Sequence, residues 1–159
     1  MKFGEAIKTC FSKYAVFSGR ARRSEFWFWA LFTGIVTYAL SLLGGLIFGE
    51  DSSVVKIGRY VVVLPFLLPS LAVSWRRMHD IGKPGALCLL VYAATFIELF
   101  GTTLALLGAQ QGESSLALIG FGLMLAAVVI CIIFLVWMCK NSQSGDNKYG
   151  PDPKSDEYF

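Results

Sequence analysis

Four stretches of the chain, Phe26 to Phe48, Tyr60 to Trp75, Gly85 to Leu107 and Leu116 to Met138, are almost wholly apolar, and the polar residues crowd between them. Those 85 residues hold one charged side chain, Glu98, while the other 74 hold the remaining 24. A bilayer imposes this segregation, because about 20 apolar residues are needed to cross roughly 30 Å of hydrocarbon. A soluble core does not need runs so long. The first, third and fourth runs, of 23 residues each, predict spanning helices. The second has 16. Its helix is expected to begin nearer Val54 or Ile57, with Lys56 and Arg59 snorkelling to the head groups and Pro65 and Pro69 kinking it.

The pattern therefore predicts an all-α integral membrane bundle of four transmembrane helices, at about 26–48, 57–75, 85–107 and 116–138. Residues 1–25 form a basic, amphipathic lead-in and 139–159 a polar tail. In the lead-in, Phe3, Ile7, Cys10, Phe11 and Tyr14 recur at three- and four-residue spacing opposite Lys2, Glu5, Thr9 and Ser12. That spacing predicts a short helix, either lying on the leaflet or packed on the other helices. The first apolar run is too long for a signal-peptide core and lacks a small-x-small cleavage site, so it is expected to remain as an anchor.

Charge then sets orientation. Outside the spans, six Lys and Arg precede the first, two lie in the first loop, three in the second, none in the third and three follow the last. With an even number of spans and the N-terminus in the cytoplasm, 12 of these are cytoplasmic and 2 external, as the positive-inside rule requires. Both ends are expected on the cytoplasmic side. The composition agrees, with 55% hydrophobic and 16% charged residues, against about a quarter charged in soluble domains. Cys10, Cys88, Cys131 and Cys139 show no Cys-x-x-Cys spacing and are read as reduced.

Three polar motifs remain, all on the expected cytoplasmic face. Gly19 to Trp27 (GRARRSEFW) leads into the first span. Its Arg20, Arg22 and Arg23 serve either as topogenic charges beside an aromatic belt or as a site for an anionic head group or phosphate. Arg76 to Gly85 (RRMHDIGKPG) links the second and third spans through a turn built on glycine and proline. His79 is the sole histidine. With Asp80 it makes an incomplete metal set, so ion pairs holding the helix ends are the plainer reading, with Glu25 as a partner. Gly145 to Pro153 (GDNKYGPDP) lacks calcium-loop spacing and is expected to fold back as a rigid cap presenting Tyr149.

Glu98 lies about 20 Å along the third helix from Gly85 at 1.5 Å per residue. A carboxyl at that depth is costly and must face protein or water. It reads as a relay for protons or cations, or as a carboxyl bonded across helices to Thr37, Tyr38 or Ser41. Small residues four apart, at Ala30 and Gly34, Ser41 and Gly45, Gly101, Ala105 and Ala109, and Gly122 and Ala126, suit close helix packing in a bundle or a homodimer.

No nucleophile elbow, phosphate-binding glycine loop, zinc signature or paired catalytic carboxylates are present, so no cofactor or catalytic residue is assigned. Membrane lipids account for the basic residues without nucleic acid.

Over nearly its whole length the chain resembles the bacterial inner-membrane family catalogued as domain of unknown function 805. The resemblance rests on three motifs: Gly19, Arg20, Arg23, Glu25, Phe26 and Trp27; Arg76, Arg77, His79, Asp80 and Gly82; and Asn147, Tyr149, Gly150, Asp152 and Pro153. Where the family often has Ser-Gly-Trp after the turn, this chain has Pro84, Gly85 and Ala86. The resemblance implies a multi-spanning inner-membrane protein and supplies no catalytic residue, substrate or cofactor.

The leading expectation is a non-enzymatic module whose cluster of Arg20, Arg23, Glu25, Arg76, Arg77, His79, Asp80, Asn147 and Tyr149 binds a partner protein, in the membrane or the cytoplasm, or anionic lipid head groups. On that reading, alanine at Arg76 and Arg77 removes binding and leaves the fold intact. The rival is a small oligomeric transporter or channel using Glu98. A lipid-modifying enzyme with His79 as general base comes third.

Overall fold

The computed structural model describes residues 1–49 and 52–155, and among them all regular structure is helical. Helix α1 spans Phe3–Ser12, α2 Arg23–Phe48, α3 Ser53–Asp80, α4 Leu89–Gln111 and α5 Ser114–Cys139, with a short 3-10 turn at Gly85–Cys88 before α4. Four of these helices, α4 taken with its lead-in turn, are long and apolar enough to cross a membrane. The expected snorkelling of Lys56 and Arg59, part of the first polar turn and the last four tail residues lie outside what is described.

Two compact units make up the chain, one comprising Met1–Gly85 with the C-terminal segment from Asn141, the other Ala86–Lys140.

In the first unit, α1 begins with a capping box in which the Glu5 carboxylate accepts from the Lys2 amide at 2.7 Å. Its inner face, Ala6 and Cys10, is fully buried, and the helix packs on α2 and touches α3. The expected amphipathic helix thus forms, with one face packed on α2 and α3. Phe11 meets Trp29 edge-on at 5.1 Å between ring centroids, and Cys10, Ala21, Trp29 and Val73 form a buried cluster. Trp29 is almost fully buried, and its indole N–H is satisfied by Ser70 Oγ at 2.9 Å.

Helix α3 continues through both prolines. A proline in a helix cannot donate to the carbonyl four residues earlier, so Pro69 leaves the Pro65 carbonyl without its helical donor. The Tyr14 hydroxyl donates to that carbonyl at 2.6 Å, tying the segment after α1 to the middle of α3. The second motif is largely helical, since Arg76 to Asp80 close α3 and the turn begins at Ile81. Gly82, at φ +75°, ends the helix in a Schellman arrangement, with Lys83 N–H donating to the Met78 carbonyl and Gly82 N–H to that of His79, each at 3.0 Å.

The second unit is a helical hairpin closed by Gly112 in the left-handed conformation. Its helices approach through glycine. A Cβ on Gly101 would lie 2.8 Å from the Gly120 carbonyl oxygen, and one on Gly108 or Gly120 would also meet backbone of the facing helix. Of the expected small-residue sites, Gly101 and Ala105 are used in this contact, joined by Gly108, Ala117 and Gly120. Gly122 and Ala126 are exposed, because the side of α5 facing α4 runs instead through Gly120 and Ala127.

Candidate functional site

The three motifs come together at one end of the first unit. The last turn of α3 delivers Arg76, Arg77, His79 and Asp80, while the stretch before α2 lies alongside it, with the Ala21 amide donating to the Arg76 carbonyl at 3.1 Å. Asp80 is fully buried between two guanidinium groups. Arg20 Nε donates to its Oδ1 at 3.1 Å, and Arg77 Nη1 donates to its Oδ2. Arg20 also donates from Nη1 to the Gly145 carbonyl at 2.6 Å and from Nη2 to the Gln143 carbonyl. One arginine therefore ties α3 to the C-terminal segment.

A second pair lies beside the first. Arg76 Nη1 is 2.9 Å from Glu25 Oε1, with both side chains buried. The approach is off the line of a hydrogen bond, and neither Nη1 nor Nη2 has a hydrogen-bond partner among the described residues. The attraction is thus largely Coulombic, and in a desolvated setting such a pair serves geometry more than net stability. The Cys10 thiol sits 3.9 Å from the same Glu25 oxygen. Burial, then the nearby Glu25 carboxylate, pushes its pKa up to about 12, so it is an unreactive packing group.

The third motif folds back over this network. Asp152 accepts from the Lys154 amide at 2.9 Å and the Gly145 amide at 3.0 Å, while Asp146 accepts from the Asp152 amide at 2.9 Å. The Lys154 amide, with smaller help from the Gly145 amide and Arg20, holds the Asp152 carboxyl below its usual range against the opposing effect of desolvation. Asn147 donates to the His79 carbonyl at 3.0 Å. Tyr149 stacks flat on His79, the ring centroids 3.9 Å apart and the planes 3° from parallel. His79 Nδ1 in turn lies 3.0 Å from the Gly19 carbonyl. Tyr149 is therefore half-buried against α3, not held out for contact.

Of the residues singled out in the sequence, Arg20, Glu25, Arg76, Arg77, His79, Asp80, Asn147 and Tyr149 are interlinked here. Arg23 stands half-buried in the first turn of α2. Glu98 belongs to the other unit. Sequence reasoning missed Lys13 and the backbone of Gln143. It also missed a cleft of about 420 Å³ lined by Met1, Glu5, Thr9, Lys13, Arg20, Arg22, Glu25 and Pro153. The four-residue spacing of Glu5, Thr9 and Lys13 marks one flank of α1 and was the available signal.

The three interlocked motifs run from Gly19 to Pro153, and the family model described as "Protein of unknown function (DUF805)" matches residues 14–151. The chain belongs to this family. Among its relatives, Inner membrane protein YhaI of Escherichia coli (strain K12) is 30% identical over 141 residues, which are 89% of this chain and 88% of that protein. Inner membrane protein YhaH of the same strain is 27% identical over 141 residues, 89% of each. No solved structure matches. With these relatives and its four apolar helices, this member of the family is a multi-pass inner-membrane protein of unknown activity.

Proposed function

We propose that the protein is a non-enzymatic inner-membrane module, both chain ends cytoplasmic, that holds anionic phospholipid head groups in the cleft between α1 and the C-terminal cap. The observation that carries this reading is that Lys13 and Arg22 line that one cleft, while its two carboxylates are engaged elsewhere, Glu5 by the Lys2 amide and Glu25 by Arg76. Helix α1 and the residues just after it put Glu5, Thr9 and Lys13 on the cleft, while the side chains of Phe3, Phe11 and Tyr14 stay partly exposed. That is the arrangement of a helix at head-group depth.

Each Lys or Arg near an anionic leaflet is worth about 1 kcal/mol of attraction. Within the cleft, Glu25 is paired with Arg76, Arg20 with Asp80, and Arg22 donates to the Pro153 carbonyl, while the Lys13 side chain is exposed. A non-enzymatic role is supported because the ionisable groups of the motifs are spent on one another. The burial of Arg76 and Arg77 supports a framework role for them.

The test is native mass spectrometry of the protein ejected from nanodiscs of equal phosphatidylglycerol and phosphatidylcholine. Retention of phosphatidylglycerol in clear excess is expected. Equal retention of the two lipids, or a bound protein in place of lipid, overturns the reading.

A further inference from the structure

The C-terminal cap supplies part of the cleft and also fixes residues that line it. Pro153 forms one wall, and Arg22, lining the cleft beside it, donates from Nε to the Pro153 carbonyl. Arg20, a third lining residue, holds the root of the cap through the Gln143 and Gly145 carbonyls. Two basic residues of the cleft are thus tied to cap backbone. Asp152 does not line the cleft, yet it sets where the wall stands. One of its carboxylate oxygens accepts from the Gly145 amide at 3.0 Å and the other from the Lys154 amide at 2.9 Å, which pins the chain on both sides of Pro153. Pro151 and Pro153 fix their own φ and restrict the residue before each, so residues 150–153 move as one stiff piece.

The cap is fastened by hydrogen bonds and by the stack of Tyr149 on His79, and among the described residues it contributes none to the buried apolar cluster of this unit. Segments held in this way open locally at less than the cost of global unfolding. We propose that cap docking and head-group binding are one linked equilibrium, in which the cap closes the cleft over the anionic head group, the head group holds the cap shut, and Asp152 is the positioning residue that couples them. This rests on the lipid reading of the cleft. With the cap open, the Pro153 wall and the Arg22 side chain lose their mutual hold, and an arriving head group must order both. With the cap closed that ordering is already made, so binding is tighter. The coupling is reciprocal, and the bound lipid stabilises the closed cap by the same factor.

The test compares the full chain in nanodiscs of equal phosphatidylglycerol and phosphatidylcholine with the same chain in phosphatidylcholine alone, reading lipid retention by native mass spectrometry and backbone exchange by hydrogen–deuterium labelling. The Gly145, Asn147, Gly150, Asp152 and Lys154 amides, each bonded within the cap, should exchange about tenfold more slowly where phosphatidylglycerol is present. The Gly82 and Lys83 amides, bonded to the end of α3, should not change. Asp152→Asn, verified as folded by those same α3-bonded amides, should retain phosphatidylglycerol about tenfold less well and lose the lipid dependence of cap exchange. Should that variant misfold, the wild-type comparison alone decides. Phosphatidylglycerol retained by wild type, beside cap exchange that is equal or faster in its presence, overturns the linkage and leaves the lipid reading standing, as does a folded Asp152→Asn protein with wild-type retention. A wild type that retains no phosphatidylglycerol overturns both.

Discussion

Replacing Asp80 by asparagine should be among the most damaging single changes available to this protein. The side chain is fully buried and is shared by Arg20 and Arg77, whose guanidinium groups are themselves buried. Asparagine keeps the shape and one acceptor oxygen but removes the charge, leaving two desolvated cations without their counter-ion. Breaking a buried pair from one side costs about 3–5 kcal/mol. The shared carboxylate places this case towards the upper end, at roughly 4 kcal/mol. Arg20 also holds the Gln143 and Gly145 carbonyls, so the C-terminal cap should loosen as the helix end does. Reversible unfolding in mixed detergent and SDS micelles, followed by tryptophan fluorescence, gives the free energy. Arg77→Met alone and with Asp80→Asn completes a cycle whose coupling should exceed about 1 kcal/mol. A loss below about 1 kcal/mol for Asp80→Asn, or strict additivity in the cycle, would refute the reasoning, because the network would then be ornamental.

Three further outcomes follow from the geometry. Tyr14→Phe deletes the donor to the carbonyl exposed by Pro69 and should cost about 1 kcal/mol in the same unfolding assay; no measurable change would mean that this carbonyl is satisfied otherwise. Gly120→Val drives side-chain atoms into the backbone of α4 and should cost about 2–3 kcal/mol, whereas Gly122→Val, with nothing within 4 Å, should be near neutral; equal effects would contradict the observed hairpin contact. The Asp152 carboxyl is held below its ordinary range in the folded cap, so its contribution is fully present above the unfolded pKa and is lost as pH falls through the lower folded value. A spin label at Lys148 should therefore stay immobile down to the usual carboxylate range and become mobile only in stronger acid, with Asp152→Asn mobile already at neutral pH; release near pH 6, or an Asp152→Asn cap as rigid as wild type, would contradict this.

The spans were legible because a bilayer enforces long apolar runs, and α2, α4 and α5 coincide with theirs to within a few residues. Helix α3 was harder to bound. Its last five residues are mostly polar, and hydropathy ends at Trp75 where the helix does not, since Arg76 and Asp80 meet Glu25 and Arg20, far away in sequence, and Arg77 meets Asp80 within the helix. The partnership of the first two motifs could be inferred from charge, Glu25 with Arg76 among them. The assignment of Asp80 to both Arg20 and Arg77 could not, because it depends on helix phase. Tyr149 shows the limit most clearly. Turn residues predicted a cap, but only the fold reveals that the ring lies flat on His79. Contacts made by backbone carbonyls, such as Gln143, Gly145 and Pro65, leave no trace in residue identity.

On the proposed reading, buried arginines hold the fold while the exposed Lys13 meets the lipid head group. One experiment compares two variants in nanodiscs, reading both the retained phosphatidylglycerol and the unfolding midpoint. Lys13→Glu should lose the lipid with its midpoint nearly unchanged, whereas Arg76→Ala with Arg77→Ala should lower the midpoint sharply. A stable Arg76, Arg77 variant that has lost its lipid, beside a Lys13 variant that keeps it, would contradict this reading.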